Sequence, residues 1–491
     1  MRGKLLCVLT LALFGLSQPA PLLAQPAPVA ATAPAATLEA QVRAVLAQGP
    51  QGTRFGLLVT TSDGTVVVSI DPDGRFIPAS NTKLFTTAAA LARLPQTVPG
   101  TGVRLEPHRG GAPDVVLVGR GDSRMSSAAD CTADCLATLA DAVAARTRWV
   151  GRVVGDATLF PDQRWSPGMS WNNIGTDSGT AIAALTLDDN ELPITVTPTE
   201  PGKPPLVAVS PYLTVRNEAV TVASGERELR FETTVNGLEL RIYGQIPVGA
   251  TYQDRLGIDD PAHYTAWAFQ RMLLARGVRI AKPPVSRYRP LGLGDDASYR
   301  PLSVIATQAA TPDLATLLPA PLREDVTIIN KVSQNLHAEL LYRRIALLGG
   351  TGSLGDGALA VTAMLNEAGV PRTGYDFSDG SGMSSYNRVS PRATVGLLRW
   401  AQSQPWGAAW RATFPIGGVD GTLRRRFAGT PLVGHIWAKT GTLSATNALA
   451  GYLQAASGRE LVFAIYANDV PDGANAVPTM DAVIELVAAS N

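Results

Sequence analysis

Three short runs in this chain hold residue types that can do covalent chemistry together. In Pro78-Ala79-Ser80-Asn81-Thr82-Lys83-Leu84, Ser80 and Lys83 are three apart, so on a helix they share a face one turn from each other. A serine in the first turn sits where free backbone N–H groups and the helix dipole favour developing negative charge. A lysine one turn on can accept its proton when burial keeps the amine neutral part of the time. Ser333-Gln334-Asn335 adds a hydroxyl and an amide. Lys439-Thr440-Gly441 adds a second ammonium, another hydroxyl and a position without a side chain.

Placed in one pocket, these groups divide the work of an acyl transfer. Ser80 is the candidate nucleophile and Lys83 its general base. Ser333, between two cations, is placed to relay a proton to a leaving amine, and Asn335 to orient a peptide carbonyl. A strand bearing Lys439 can take an extended substrate as a further strand. Its ammonium and the Thr440 hydroxyl would hold a terminal carboxylate, while Gly441 leaves room for the substrate backbone. The backbone N–H groups of Ser80 and Thr442 form the expected oxyanion hole. Each run alone has an ordinary structural reading: a capping serine with a solvated lysine, another cap, a strand end before a turn. Their joint, ordered occurrence is what points to catalysis.

Elements of the right kind surround each run. Leu84, Phe85, Ala88, Leu91 and Leu94 give the Ser80 helix a core-facing stripe, and Pro95 marks its stop. Before it, a helix from Thr37 to about Gln48 and a hairpin over Phe55–Ser69, turning at Ser62-Asp63-Gly64, are expected. Asn335 leads into an amphipathic helix. Gly434–Thr440 reads as a strand, followed by Ala448–Leu453, Leu461–Ala467 and a closing helix. From about 96 to 300 the character changes to short β-like runs separated by Gly/Pro turns, with helical patterns only at Cys131–Arg146 and Ala262–Arg276. This is the reading of a separate module set inside another domain.

At 491 residues the chain is too long for one ordinary core. Its 45% hydrophobic and 17% charged residues are those of a globular protein, and a net charge of +1 gives no case for a nucleic-acid partner. Residues 1–24 read as a secretory signal: Arg2 and Lys4, an apolar run containing Cys7, then small residues. Residues 25–36, rich in Pro and Ala, read as a disordered lead-in. No later window resembles a transmembrane helix. The expectation is an exported protein of the periplasm or cell envelope, with peripheral membrane contact left open. Cys131 and Cys135, four apart, can form a local disulfide; two thiols in an Ala-rich helix is the alternative.

Other chemistries find no support. His108, His263, His337 and His435 form no H-E-x-x-H pair, so no metal is expected, and His337 reads as a surface or packing residue. There is no G-x-S-x-G elbow, no phosphate-binding loop, no dinucleotide fingerprint, and no cofactor is implied.

With these runs in view, the chain resembles the low-molecular-mass class C penicillin-binding proteins, the D-alanyl-D-alanine carboxypeptidase/endopeptidase family of the penicillin-binding protein 4 type. The resemblance extends to Asn330-Lys331, Ala338-Glu339, Asp379-Gly380-Ser381-Gly382, Gly418 to Leu423, Trp171 and the run Ala184 to Asn190. Met383 stands where the family tends to have leucine. The resemblance implies an α+β fold, with a β-lactamase/transpeptidase-like catalytic domain whose antiparallel sheet is flanked by helices. That domain would span 37–95 and 300–491. Two β-rich domains would be inserted, one at 96–193 and 255–299, the other nested at 194–254. It implies peptidoglycan stem peptides as substrate and β-lactams as covalent inhibitors. It also implies a pocket for a diamino acid, with Asp156 holding the amino group and Leu443 lining the wall. The rivals are a β-lactamase or esterase on the same scaffold, and a cell-wall sensor that acylates without turnover.

Overall fold

The computed structural model describes residues 37–107, 111–300 and 312–491. The signal (with Cys7), the lead-in and His108 lie outside the described residues.

A five-stranded antiparallel sheet carries the site. Its order is Ile436–Leu443, Thr446–Gln454, Glu460–Asn468, Arg54–Thr61, Val66–Ile70. The central strands read as unbroken apolar runs because both faces are covered. Alternation persists within them: Leu57, Val59, Phe463 and Ile465 join one core, and Leu58, Val462, Ala464 and Tyr466 the other. The first core is closed by the terminal helices Leu38–Leu46 and Val477–Ala489. The second contains Leu84, Phe85, Ala88 and Ala89 of the helix Thr82–Arg93, which is buried along most of its length. The expected hairpin and final strands are present, but the strand bearing Lys439 continues through Leu443.

Residues between 102 and 316 build a second five-stranded sheet with parallel and antiparallel pairs, in the order Val285–Arg289, Val153–Pro161, Asp114–Val118, Gly102–Glu106, Ala315–Thr316. Two three-stranded sheets follow, one from Thr214–Val222, Glu228–Thr233 and Glu239–Pro247, the other from Glu191–Thr197, Leu206–Ala208 and Tyr252–Gly257. The helix Asn335–Ala346 joins the two halves of the core: Leu336 and Leu340 pack into the core of these sheets, whereas Ala338, Leu341, Tyr342 and Ile345 pack against the Ser80 helix. The helical pattern at Cys131 is overturned. The helix is Leu136–Arg146, and Cys135 precedes it with extended dihedrals because Asp134 adopts φ +59°. Cys131 and Cys135 are joined as a disulfide in the turn before that helix.

Candidate active site

Ser80 lies in a short 3-10 turn, Ala79–Asn81, which runs directly into the helix Thr82–Arg93. Ala79 adopts φ +46°, a left-handed conformation unusual for a residue with a side chain. Two glycines press on this turn. A Cβ at Gly382 (φ +91°) would come 1.9 Å from the Ala79 carbonyl oxygen, and one at Gly441 would come 2.6 Å from that of Pro78. The serine is therefore held by backbone contact from a loop on one side and the edge strand on the other.

Lys83 is completely buried, and its Nζ has three oxygen partners. It lies 2.9 Å from Ser80 Oγ, 2.6 Å from Asn335 Oδ1 and 2.6 Å from the Ser381 carbonyl. An ammonium would donate to all three. A neutral amine donates to the two carbonyl-type oxygens and turns its lone pair to Ser80. Burial pushes Lys83 down to about 7, against the opposing pull of Asp379 and Glu339.

Lys439 is also fully buried, donating to Ser333 Oγ at 2.9 Å and to the Thr440 carbonyl at 2.8 Å. Burial, then the charge of Lys83, holds its amine well below the ordinary lysine range. The ammonium expected to face a carboxylate is thus enclosed in the wall, and an arriving anion would restore its charge. Ser333 closes the helix Leu322–Val332 with φ +68°, which turns its side chain toward Lys439. It contacts Lys439, while Lys83 contacts Asn335. The other end of the Asn335 amide donates to the Ser178 carbonyl at 2.9 Å, so both ends are engaged.

Ile436–Leu443 is an edge strand. Gly417 N donates to the Ile436 carbonyl and Ala438 N to that of Pro415, so even-numbered residues point away from the sheet. The two-residue period turns the N–H of Thr442 the same way, toward the open edge. Thr440 Oγ1 donates to Thr422 Oγ1 at 2.7 Å. Beside it is a cavity of about 620 Å3, lined by Ile77, Met169, Ser170, Met383, Thr442 and Leu443 among others.

Asp156 does not line this cavity but a separate one of about 490 Å3 with Arg104, Arg120 and Thr158, so it is not brought together with Leu443. Its side chain is 8% exposed; the carboxylate is 3.1 Å from Arg287 and 3.9 Å from Arg104, and it accepts from the N–H and Oγ1 of Thr158 at 3.0 and 2.6 Å. A carboxylate so occupied has little left for a ligand. His337 takes the packing alternative: it is buried, with Nδ1 2.5 Å from Asp325 and Nε2 2.8 Å from Asp189.

Residues given no role from the sequence complete the pocket. Glu339 Oε1 accepts from the N–H groups of Gly380 and Ser381 at 2.9 and 2.8 Å. Asp379 accepts from Gly382 N, Ser384 N, Ser166 Oγ and Asn387 Nδ2. Lys331 pairs with Asp420 at 2.5 Å, tying the Ser333 helix to the loop that carries Thr422. Only the resemblance at Asn330-Lys331, Ala338-Glu339, Asp379 to Gly382 and Gly418 to Leu423 marked these places.

An antiparallel sheet with a half-buried serine held against a buried lysine at its edge defines a serine-type acyl-transfer enzyme of the β-lactamase/transpeptidase-like class. The chain matches the D-Ala-D-Ala carboxypeptidase 3 (S13) family over residues 38–292 and 299–489, and it belongs to that family. It is 33% identical over 439 residues to a D-alanyl-D-alanine carboxypeptidase of Actinomadura sp. (strain R39), covering 84% of this chain and 77% of that protein. It is 28% identical over 470 residues to a carboxypeptidase of Mycobacterium tuberculosis, covering 92% and 85%. The crystal structure of penicillin binding protein 4 from Haemophilus influenzae superimposes with a TM-score of 0.76 at 22% identity, covering 91% of this chain and 97% of that one, and shares its fold. The protein is a serine-type carboxypeptidase of this family.

Proposed function

We propose that this protein hydrolyses the terminal D-Ala–D-Ala bond of peptidoglycan stem peptides through an acyl-enzyme on Ser80. The same chemistry on the cross-bridge between two stems would make it an endopeptidase as well. One observation carries the reading: Lys83 Nζ stands 2.9 Å from Ser80 Oγ with its other two contacts taken by carbonyl oxygens.

Ser80 Oγ attacks the penultimate carbonyl carbon and Lys83 accepts its proton. The oxyanion is held by the N–H groups of Ser80 and Thr442. As the C–N bond breaks, Ser333, linked to Lys439, passes a proton to the departing D-alanine amine. Lys439 with Thr440 receives the substrate's carboxylate, which supplies the counter-ion the buried amine lacks. Gly441 and Thr442 of the edge strand pair with the extended substrate, and Leu443 lines the pocket beyond the scissile bond. Water then attacks the ester, returning Ser80. A β-lactam carbonyl enters the same first step and leaves Ser80 acylated.

The proposed organisation is a catalytic domain of 37–95 and 300–491, less the strand Ala315–Thr316 that pairs into the second sheet, an inserted domain of 96–193 and 255–299, and a nested domain of 194–254. The proposed location is outside the cytoplasm, in the periplasm or cell envelope, after loss of residues 1–24. Among the described residues no helix is long and apolar enough to cross a membrane.

The test is incubation with labelled penicillin and peptide mapping by mass spectrometry, beside Ser80→Ala, followed by assay of D-alanine release from a pentapeptide. A lasting adduct on the Ser80 peptide together with D-alanine release is expected. An adduct elsewhere would sink the mechanism. Rapid destruction of the drug would favour a β-lactamase, and an adduct without D-alanine release a sensor.

A further inference from the structure

The general base of this site is oriented by a main-chain carbonyl, and something must hold that carbonyl in place. Ser381 O sits 2.6 Å from Lys83 Nζ on a Gly-Ser-Gly loop, Gly380-Ser381-Gly382, that glycine flexibility would otherwise leave loose. Glu339 anchors it: one oxygen accepts the N–H groups of both Gly380 and Ser381. Glu339 is 5% exposed and stands on the helix that begins with Asn335, the other oxygen partner of Lys83. Both carbonyl-type contacts of the amine therefore trace to one helix.

We propose that Glu339 is a positioning residue for Lys83: its carboxylate fixes the Ser381 carbonyl that aims the amine at Ser80, and its negative charge steadies the ammonium formed as Ser80 attacks. This rests on the reading of Ser80 as nucleophile. The charged groups around Lys83 are few. Asp379 and Glu339 favour its ammonium, while Lys439 faces it as a second amine. Arg343, one turn beyond Glu339, and Asp379 act in opposite senses on Glu339. Burial, then Asp379, pushes Glu339 itself up to about 7, against the pull of Arg343 and Ser381.

Glu339→Gln separates charge from shape, because the amide oxygen can still accept from Gly380 and Ser381. The measurement is the rate of penicillin acylation of the full-length protein against pH, for wild type and variant. Loss of the charge lowers the proton affinity of Lys83. The acid limb of the profile is expected to move down by about one pH unit and the plateau rate to fall about tenfold, with the half-saturating penicillin concentration unchanged. A profile that keeps the wild-type limb, whatever its height, overturns the proposal. If Glu339→Gln shows no cooperative unfolding transition, Glu339→Asp decides. It keeps the charge and withdraws the oxygen, so a wild-type limb with a lowered plateau is expected, and an unchanged plateau or a displaced limb overturns it. Failure of the wild type itself to acylate at Ser80 would instead refute the underlying function.

Discussion

Gly382 lies so close to Ala79 that a Cβ on the glycine would stand 1.9 Å from the Ala79 carbonyl oxygen, and 3.0 Å from the nitrogen of Ser80. The neighbouring atoms are backbone, which cannot swing aside as a flexible side chain would. The left-handed turn at Ala79 and the left-handed Gly382 form an interlocked pair of backbone segments behind the serine.

Gly382→Ala should therefore act on catalysis more than on folding. The φ of +91° and the contact together strain the loop by about 1–3 kcal/mol. Relief by retreat of the Ser80 turn would lower acylation about 100-fold, since a misplacement of about 1 Å costs that much. Acylation rates and thermal unfolding of the variant check this. A wild-type rate would show that the turn does not depend on the contact.

Burial holds Lys83 down to about 7. The amine must be deprotonated to act as base, so kcat/KM for D-alanine release should rise with pH through about 7 and then level off. A rate–pH profile on the pentapeptide tests it; an acid limb near the ordinary lysine value would contradict the buried-base mechanism.

His337 has a carboxylate on each ring nitrogen, and both contacts need a donated proton, so the ring is an imidazolium. Burial alone would lower its value, but Asp189 and Asp325 raise it to about 9, above the ordinary 6.5. A raised folded value means stability that is complete below 6.5 and lost as pH climbs through about 9. His337→Gln should cost about 3 kcal/mol near neutrality, with the gap to wild type closing above pH 9. Denaturant unfolding at several pH values measures this; a gap independent of pH would refute the imidazolium.

What the sequence made legible was local. Ser80 and Lys83 are linked by helical spacing, and Lys439-Thr440-Gly441 by its place at a strand end, so both could be placed without knowing the fold, whereas the run of that strand on to Leu443 was not legible. The helix boundary at Leu136 was missed because Asp134 turns left-handed, which an Ala-rich periodicity does not reveal. That Asp156 stands apart from Leu443 was not legible, because its partners, Arg104 and Arg287, lie far away in the chain and meet it only across the mixed sheet. His337 and Glu339 escaped for a related reason. Each stands on an amphipathic helix, and only its partners from elsewhere in the fold, Asp189 and Asp325 for His337 and the backbone of Gly380 and Ser381 for Glu339, reveal its place.

The order of the catalytic sheet also governs when the enzyme comes into being. Arg54–Thr61 lies next to Glu460–Asn468, so the earlier strand must wait for one made much later in synthesis. Lys439 and its edge strand hang from that late hairpin. Ser80 thus emerges from the ribosome early yet stays unarmed until the last part of the chain arrives, because closure of so long a loop must precede its partners. A nascent or C-terminally truncated chain would carry the nucleophile without any acylating power.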